Sequence, residues 1–279
     1  MKSLVQLKGL IQASVALVVL FIILGLFAEH FWVFDLFTHF QIQYAVCLLI
    51  AAVALLLLRE KRWALAAFIF GVLMALKTVH YWLPYYNSEG SGKYRLLIYN
   101  VLTSNEQYEQ VASYLHQSDA DVILILEVNR KWIEQLKTLR ANYPYRIEQS
   151  REDNFGILLL SRKEILNGNV LSFTSNGIPS VSAEIALSEN EVIHLIGTHP
   201  IPPLGQMHTE MRNRHLMNVV DHIVQMDASH VMLVGDFNLT PFSPIFTSLL
   251  EKTELLDSGR GFGWQPTWFA KMPWFAIPI

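Results

Sequence analysis

Polar side chains follow three apolar segments that are typical of buried strands. The segments are Tyr94–Tyr99, Val122–Leu126 and Val231–Val234, and the polar residues after them are Asn100, Glu127, Asp236 and Asn238. A carboxylate is costly to bury unless it is paired or binds a metal, and strand ends that meet at one edge of a sheet commonly form a ligand site. Two carboxylates and two amides are oxygen donors, which suit a hard cation such as Mg²⁺. The sequence therefore predicts a metal-dependent site built from strand ends.

Each of these residues also has a purely structural explanation. An asparagine at a strand end, such as Asn100, is often a turn residue, and residues 235–238 (Gly-Asp-Phe-Asn) could form an Asx-turn. Glu127 could simply pair with Arg130 or Lys131. Taken one at a time, these residues leave a structural role open.

Two other kinds of active site do not fit the sequence. The chain has a single cysteine, Cys47, which lies in an apolar segment, and it has no H-E-x-x-H motif, so a zinc site is not indicated. It also has no G-x-S-x-G motif, which argues against a serine nucleophile.

The residues from 94 onward alternate between strand-like and helix-like segments. The segments that predict strands are Tyr94–Val101, Asp121–Val128, Asn154–Ser161, Val181–Leu187, Val192–Thr198 and Val231–Gly235. The segments that predict helices are Asn105–Gln117, Lys131–Leu139, Glu210–Met226 and Phe246–Glu251. This mixture indicates an α/β fold with more than one sheet.

The first 83 residues are of a different kind. Gly9–Ala28 and Gln41–Leu58 are uncharged runs of 20 and 18 residues, and Trp63–Leu83 is a third apolar segment, interrupted near its end by Lys77. A helix of about 20 apolar residues spans the ~30 Å hydrocarbon core of a bilayer. We expect three transmembrane helices at about 9–28, 41–58 and 63–83; a cleaved signal peptide is the alternative for the first run.

The distribution of charge supports this division. The whole chain has 21 basic and 24 acidic residues, a net charge of −3, and 16% of its residues are charged. Residues 1–83 contain only six basic and three acidic residues, which leaves 15 basic and 21 acidic residues for the rest. The charge excludes a strongly basic nucleic-acid binder, and the 52% of hydrophobic residues exclude a disordered chain. We predict a membrane anchor over 1–83, a linker over 84–93 and a catalytic domain over 94–279.

Basic residues in the short connections predict the orientation in the membrane. The N-terminus carries Lys2 and Lys8, the first connection (29–40) has no Lys or Arg, and the second connection (59–62) has three. The pattern predicts a multi-pass protein of the inner or cell membrane with its N-terminus in the cytoplasm. After three spans the C-terminal domain would lie outside the cytoplasm.

Six motifs in order resemble those of the endonuclease/exonuclease/phosphatase superfamily, which includes DNase I-like nucleases, inositol polyphosphate phosphatases and neutral sphingomyelinases. They are YNVLTSN at 99–105, ILEV at 125–128, NFGILLLSR at 154–162, GTHP at 197–200, GDFN at 235–238 and PTW at 266–268. The resemblance covers roughly 94–279 and is greatest to the bacterial membrane-anchored branch. It implies a DNase I-like four-layer α/β sandwich, in which helices flank two mixed sheets.

The resemblance also implies roles for individual residues. Asn100 and Glu127 match the metal-binding pair of the family, with Glu127 as the direct Mg²⁺ ligand; Mn²⁺ is the alternative ion. Asp236 matches the residue that orients or deprotonates the attacking water, and Asn238 matches its partner at the scissile phosphate. His199 matches the histidine that contacts phosphate oxygens.

Three further residues are weaker candidates for contact with the substrate. Asn154 lies where the family often has an asparagine near the site. Arg212 and Arg214 could reach a substrate phosphate, although a solvated helix face is the favoured interpretation for both.

The sequence departs from the family at its end. The family has an Asp-His pair on a late strand, but here the last aspartate is Asp257 and the last histidine is His230. We therefore expect that the last strand or strands are missing, that Met272–Ile279 begins a core strand, and that this chain is inactive and its soluble domain marginally stable.

Two functions remain open on the sequence alone. The first is a membrane-anchored, Mg²⁺-dependent phosphoesterase that acts on a lipid headgroup, a small molecule or nucleic acid. The second is a non-catalytic, membrane-tethered module that retains the fold. The bilayer and a phosphate-containing substrate are the expected partners, and no obligate protein partner is inferred.

Overall fold

The computed structural model describes residues 2–83, 94–226, 228–269 and 271–279. The predicted linker, residues 84–93, lies outside the described residues. The α-helices are α1 (Lys2–Gly25), α2 (Trp32–Leu36), α3 (Gln41–Leu57), α4 (Lys61–Thr78), α5 (Tyr108–Gln117), α6 (Arg130–Gln135), α7 (Gln206–Gln225) and α8 (Pro244–Thr253). The strands are β1 (Leu96–Asn100), β2 (Val122–Leu126), β3 (Tyr145–Gln149), β4 (Ile157–Ser161), β5 (Ile165–Ser172), β6 (Pro179–Ser188), β7 (Glu191–Thr198) and β8 (Val231–Gly235).

The strands form two four-stranded sheets, and both are mixed. The first has the order β1-β2-β4-β3, in which only β1 and β2 are parallel. The second has the order β5-β6-β7-β8, in which only β7 and β8 are parallel. Each sheet therefore has one parallel pair, and these pairs carry the strand ends that the sequence singled out.

The two sheets pack face to face, with helices on their outer faces. Side chains alternate along β2, as expected for a strand. Leu124 and Leu126 pack with Val181 and Leu195 of the second sheet, whereas Ile123 and Ile125 pack with α5 and α6. Side chains of α7 cover the second sheet at Ile196 of β7. The four layers confirm the predicted DNase I-like α/β sandwich.

The chain forms two compact units. The sheet unit consists of Glu89–Asn238 with Glu251–Leu255. The helical unit consists of α1–α4 together with Leu239–Leu250 and Leu256–Ile279. Among the described residues of the helical unit, three segments are long and apolar enough to cross a membrane: Leu4–Gly25, Trp32–Leu57 and Lys61–Tyr81.

The last residues differ from the sequence-based expectation. Met272–Ile279 was expected to begin a core strand, but it contains a short 3-10 helix (Pro273–Phe275) and a single antiparallel bridge between Trp268 and Ile277. Prolines at 273 and 278 lack the backbone N–H that a strand ladder needs. Their positions explain why the pairing does not extend beyond this single bridge.

Candidate active site

Parallel pairing brings the predicted residues together at strand ends. In the first sheet, Asn100 is opposite Leu126, so that Glu127 follows directly beside it. In the second sheet, Thr198 is opposite Gly235, and His199 and Asp236 are the next residue on each strand. Matched ends of parallel strands explain why residues so far apart in sequence become neighbours.

The side chain of Asn100 connects the two carboxylates. Its Nδ2 donates to Oε1 of Glu127 at 2.8 Å and to Oδ2 of Asp236 at 3.2 Å. Its Oδ1 accepts the backbone N–H of Leu102 at 3.0 Å, which fixes the amide with its nitrogen toward the carboxylates. Asn100 therefore links the end of the first sheet to the end of the second.

Each carboxylate accepts one further backbone N–H. Oε2 of Glu127 accepts from Thr103 at 3.1 Å, and Oδ1 of Asp236 accepts from Asn238 at 3.0 Å. The hydroxyl of Thr103 also donates to the backbone oxygen of Glu127 at 2.9 Å. These bonds hold both carboxylates in one orientation and leave lone pairs on their oxygens.

The charge of this pair is not balanced by a cationic side chain. Glu127 is only 8% exposed, and among the described residues neither Glu127 nor Asp236 has a Lys or Arg within ion-pair distance. Buried carboxylates without such a partner are costly. The oxygens of both carboxylates fit a hard divalent cation. The described part of the chain has no group of three or more His, Cys, Asp or Glu side chains that could hold a metal ion, so this site offers two carboxylates and not a larger cluster.

His199 lies beside Asp236 and is almost fully buried. Its Nε2 is 3.9 Å from Oδ2 of Asp236, which is longer than a hydrogen bond. Its Nδ1 is buried and has no hydrogen-bond partner in the part of the chain that the structure describes. The ring of Phe155 lies 5.6 Å from the imidazole, centroid to centroid. The histidine is thus held by packing and keeps both nitrogens available.

A buried polar network that the sequence did not predict lies next to His199. Nε2 of His215, on α7, is 2.7 Å from the hydroxyl of Thr198, which is itself 2.7 Å from the hydroxyl of Ser180. Burial, together with a smaller electrostatic contribution from His199, lowers the pKa of His215 from the usual 6.5 to about 4. His215 is therefore neutral at pH 7 and can serve as a hydrogen-bond partner inside the domain.

Arg212 is fully buried, so the expectation of a solvated helix face is wrong for this residue. Its Nη1 donates to the backbone oxygen of Asn238 at 3.0 Å, and its Nη2 donates to Oδ1 of Asn213 at 2.8 Å. Arg214, by contrast, is exposed. The buried guanidinium holds the loop that carries Asn238, whose own Nδ2 donates to the backbone oxygen of Pro200 at 2.9 Å.

The structure does not bring Asn154 into this hydrogen-bonded group. Asn154 is exposed, and no hydrogen bond or ion pair among the described residues joins its side chain to the other candidates. The next residue, Phe155, contacts His199. Asn154 therefore lies one residue from a side chain at the site.

Strained backbone marks the same residues. Glu127 and Asn238 have φ angles of 64° and 52°, in the left-handed region that non-glycine residues rarely adopt. Gly235, with φ 146°, precedes Asp236, and a Cβ there would lie 1.8 Å from the backbone oxygen of Thr198. Only glycine allows β8 to approach β7 so closely at the point where Asp236 leaves the sheet.

Comparisons with known proteins place the chain in a family. A model of the Endonuclease/Exonuclease/phosphatase family matches residues 97–279. Similar solved structures include sphingomyelinase C from Streptomyces griseocarneus (18% identity, 59% of this chain and 71% of that chain, TM-score 0.49). They also include TDP2 from D. rerio, humanised by 14 mutations (17% identity, 59% and 68%, TM-score 0.48). Another is an endonuclease/exonuclease/phosphatase from Beutenbergia cavernae DSM 12333 (17% identity, 53% and 48%, TM-score 0.44).

A search among curated proteins finds no match to this chain. The family model nevertheless covers more than half of the chain, from β1 to its last residue. It includes all of the strand ends that carry Asn100, Glu127, His199 and Asp236. The chain belongs to the Endonuclease/Exonuclease/phosphatase family.

Proposed function

We propose that this chain is a membrane-anchored phosphoesterase that depends on a divalent metal ion. Members of its family are phosphoester hydrolases, which supports the reaction type. The observation that carries the proposal is the pair of carboxylates, Glu127 and Asp236, bridged by the Asn100 amide without a cationic partner among the described residues.

The roles that we assign follow from the surroundings of each side chain. Glu127 would hold Mg²⁺ or Mn²⁺, which when bound would neutralise charge that develops on the phosphoryl oxygens. Because the Nδ2 of Asn100, and not its oxygen, faces the carboxylates, Asn100 in this arrangement would orient Glu127 and would not itself be a metal ligand. Asp236 would orient the attacking water and accept its proton. His199 would donate to a phosphate oxygen, and the backbone strain at Asn238 supports a role for that residue beside Asp236.

The charge and the membrane anchor favour a particular class of substrate. Residues 84–279 have 15 basic and 21 acidic residues, and nonspecific binding of nucleic acid needs basic residues that neutralise phosphates. A catalytic domain tethered to a bilayer meets lipid headgroups at high local concentration. We therefore favour a phosphate-bearing lipid or small molecule over nucleic acid.

Contacts within the helical unit group the helix ends into two sets, as three spans require, and the basic residues give the orientation. Nζ of Lys8 lies 2.8 Å from Oε1 of Glu60, which brings the start of α1 to the connection between α3 and α4. At the opposite helix ends, Ser243 donates to Oδ1 of Asp35 at 2.8 Å and the Tyr81 hydroxyl donates to Asp257 at 3.0 Å. We propose that the first end faces the cytoplasm and that the catalytic domain is outside it.

The test combines metal binding and turnover in the full chain. Calorimetric titration with Mg²⁺ should show weakened binding for Glu127→Gln, and Asp236→Asn should bind the ion almost normally but lose turnover. Glu134→Gln, on the exposed face of α6, is the matched control and should leave both unchanged. Equal loss of affinity in both site variants would refute this division of roles.

The second candidate function is a non-catalytic module. It is favoured by the orientation of the Asn100 amide, which presents its Nδ2 to the carboxylates while its oxygen is taken by the backbone N–H of Leu102. A panel of phosphomonoesters, phosphodiesters and lipid substrates, assayed with Mg²⁺ and with chelator, distinguishes the two. Metal binding that depends on Glu127 without turnover of any substrate would favour the non-catalytic module.

A further inference from the structure

His199 differs from the other candidate site residues in how its side chain is held. Four of the candidates are each fixed by at least one hydrogen bond of their side chain: Asn100, Glu127, Asp236 and Asn238. Nε2 of His199, by contrast, is 3.9 Å from Asp236, and its Nδ1 has no hydrogen-bond partner among the described residues. The orientation of this imidazole therefore depends on its backbone and on the side chains packed around it.

The backbone of His199 leaves the sheet at a tightly constrained point. Thr198, the last residue of β7, is fully buried and pairs with Ser180 of β6 and with Gly235 of β8. A Cβ at Gly235 would overlap the backbone oxygen of Thr198, so the two strands are in close contact here. Because a planar peptide bond joins Thr198 to His199, a displacement of Thr198 moves His199 with it.

The side chain of Thr198 is held by α7. Its hydroxyl oxygen lies 2.7 Å from Nε2 of His215 and 2.7 Å from the hydroxyl oxygen of Ser180. The pKa of His215, about 4, makes the ring neutral at pH 7, so only one of its nitrogens carries a proton. Its buried Nδ1 has no partner among the described residues, and a buried N–H without an acceptor is rare. The favoured tautomer therefore has its proton on Nε2, which donates to Thr198.

The same face of α7 reaches the other side of the candidate site. Arg212, three residues before His215, donates from Nη1 to the backbone oxygen of Asn238 at 3.0 Å. Residues three apart are neighbours on the surface of a helix. One turn of α7 thus holds both the residue before His199 and the segment that follows Asp236.

We infer that His215 and Thr198 are positioning residues for His199, because the hydrogen bond between them fixes the end of β7 and with it the direction of the imidazole. This inference rests on the proposed function, in which His199 donates to a phosphate oxygen. Neither His215 nor Thr198 touches the substrate. Both act through His199, whose hydrogen bond to phosphate weakens steeply when donor and acceptor are misaligned.

Binding of inorganic phosphate to the full chain in detergent, with Mg²⁺ present, tests the inference without requiring turnover. Thr198→Val removes the hydroxyl at nearly constant volume, and His215→Leu removes the donor. Thr198→Ser and His215→Gln keep a hydrogen-bonding group at each position. His222→Gln is the matched control, because His222 also lies on α7 and packs against the ring of Phe173, as His215 does. Calorimetry measures the affinity for phosphate and, in a separate titration, the affinity for Mg²⁺.

We expect Thr198→Val and His215→Leu to weaken phosphate binding about tenfold, as for the loss of one hydrogen bond to a charged group, and to leave the affinity for Mg²⁺ unchanged. Thr198→Ser, His215→Gln and His222→Gln should bind phosphate like the parent chain. A double-mutant cycle separates positioning from a general structural role. In a chain that already carries His199→Gln, Thr198→Val should have no further effect on phosphate affinity, because Thr198 acts only through His199.

The outcomes distinguish this inference from the function on which it rests. Parent-like phosphate binding by Thr198→Val and His215→Leu would overturn the inference and leave the proposed function intact. Equal losses of phosphate and Mg²⁺ affinity, or an effect of Thr198→Val that persists beside His199→Gln, would assign the pair a purely structural role and also overturn it. A parent chain that binds Mg²⁺ but no phosphate would refute the role of His199 in the proposed function, and the inference with it.

Discussion

Acidification from pH 7 to pH 5 should destabilise the second sheet, and replacement of His215 should remove much of this effect. The imidazole is buried between α7 and β7, with Nε2 at 2.7 Å from the Thr198 hydroxyl. Its pKa lies at about 4 because burial disfavours the charged form and His199 is nearby. In the unfolded chain the pKa returns to about 6.5, so the unfolded state binds the proton first as the pH falls.

The sign and size of the effect follow from these two pKa values. The folded pKa is the lower one, so the free energy of unfolding rises with pH between about 4 and 6.5 and falls on acidification through that window. The full difference is roughly 3 kcal/mol, and the loss between pH 7 and pH 5 is roughly 2 kcal/mol. Carboxylates such as Asp153, whose pKa is lowered by a hydrogen bond from Arg151, lose their stabilising effect only below about pH 4, outside this window.

The assay is hydrogen exchange of backbone amides in β6 and β7 at both pH values, corrected for the intrinsic exchange rate. The full chain is compared with His215→Gln, which does not titrate in this range, and with His116→Gln at an exposed position on α5. We expect His215→Gln to lose about 2 kcal/mol less than the parent chain on acidification. Equal losses in the parent chain and in His215→Gln would show that His215 does not carry the pH dependence.

Three further predictions concern the site loop and the membrane anchor. Arg212→Met should lower the free energy of unfolding by about 2–4 kcal/mol because it removes the hydrogen bonds of a fully buried guanidinium, including the one to the backbone oxygen of Asn238. Arg214→Met, at an exposed position, should change it little; urea unfolding checks both, and equal effects would contradict the assignment. Gly235→Ala should cost about 3 kcal/mol or more, because its Cβ would overlap a backbone oxygen of β7; a melting temperature equal to that of the parent chain would refute this. Reporter fusions after Leu58 and after Gly92 should report opposite sides of the membrane, and the same side for both would remove the third span.

The sequence predicts most clearly the strands whose apolar pattern reflects burial on both faces. All five residues of β2 and of β4 are buried, and uninterrupted apolar runs predicted both strands. The sequence did not predict β3 and β5, each of which lies at one edge of its sheet, although it did predict β1 and β8 at the other edges. Their residues are mostly exposed and include Arg146 and Gly168, so no apolar pattern indicates them. Pairing with one neighbour determines these strands, and a single sequence does not show that pairing.

At the candidate site, too, the sequence predicted the features that are local in the chain and did not predict those that depend on tertiary contacts. Asn100, Glu127 and Asp236 were predicted because a polar residue after a buried strand is a local feature. The roles of Thr103 and Arg212 depend on which backbone groups the fold brings to them. Arg212 lies in a polar stretch of α7. The structure places it on the buried face of this helix, together with Thr209, His215 and Val219, which recur at helical spacing.

Two residues of the candidate site, Glu127 and Asn238, have a backbone conformation that is unfavourable for a side chain. Positive φ at Glu127 and at Asn238 costs on the order of 1–2 kcal/mol for each residue, because the Cβ crowds the backbone. The cost at Glu127 is offset by both hydrogen bonds from Thr103, and the cost at Asn238 by bonds from Arg212 and to Pro200. A glycine at either position would remove the strain, but it would also remove the bond that Glu127 accepts from Thr103 or the bond that Asn238 donates to Pro200. These bonds fix the direction of both side chains before a ligand arrives, which is the arrangement that the proposed function requires.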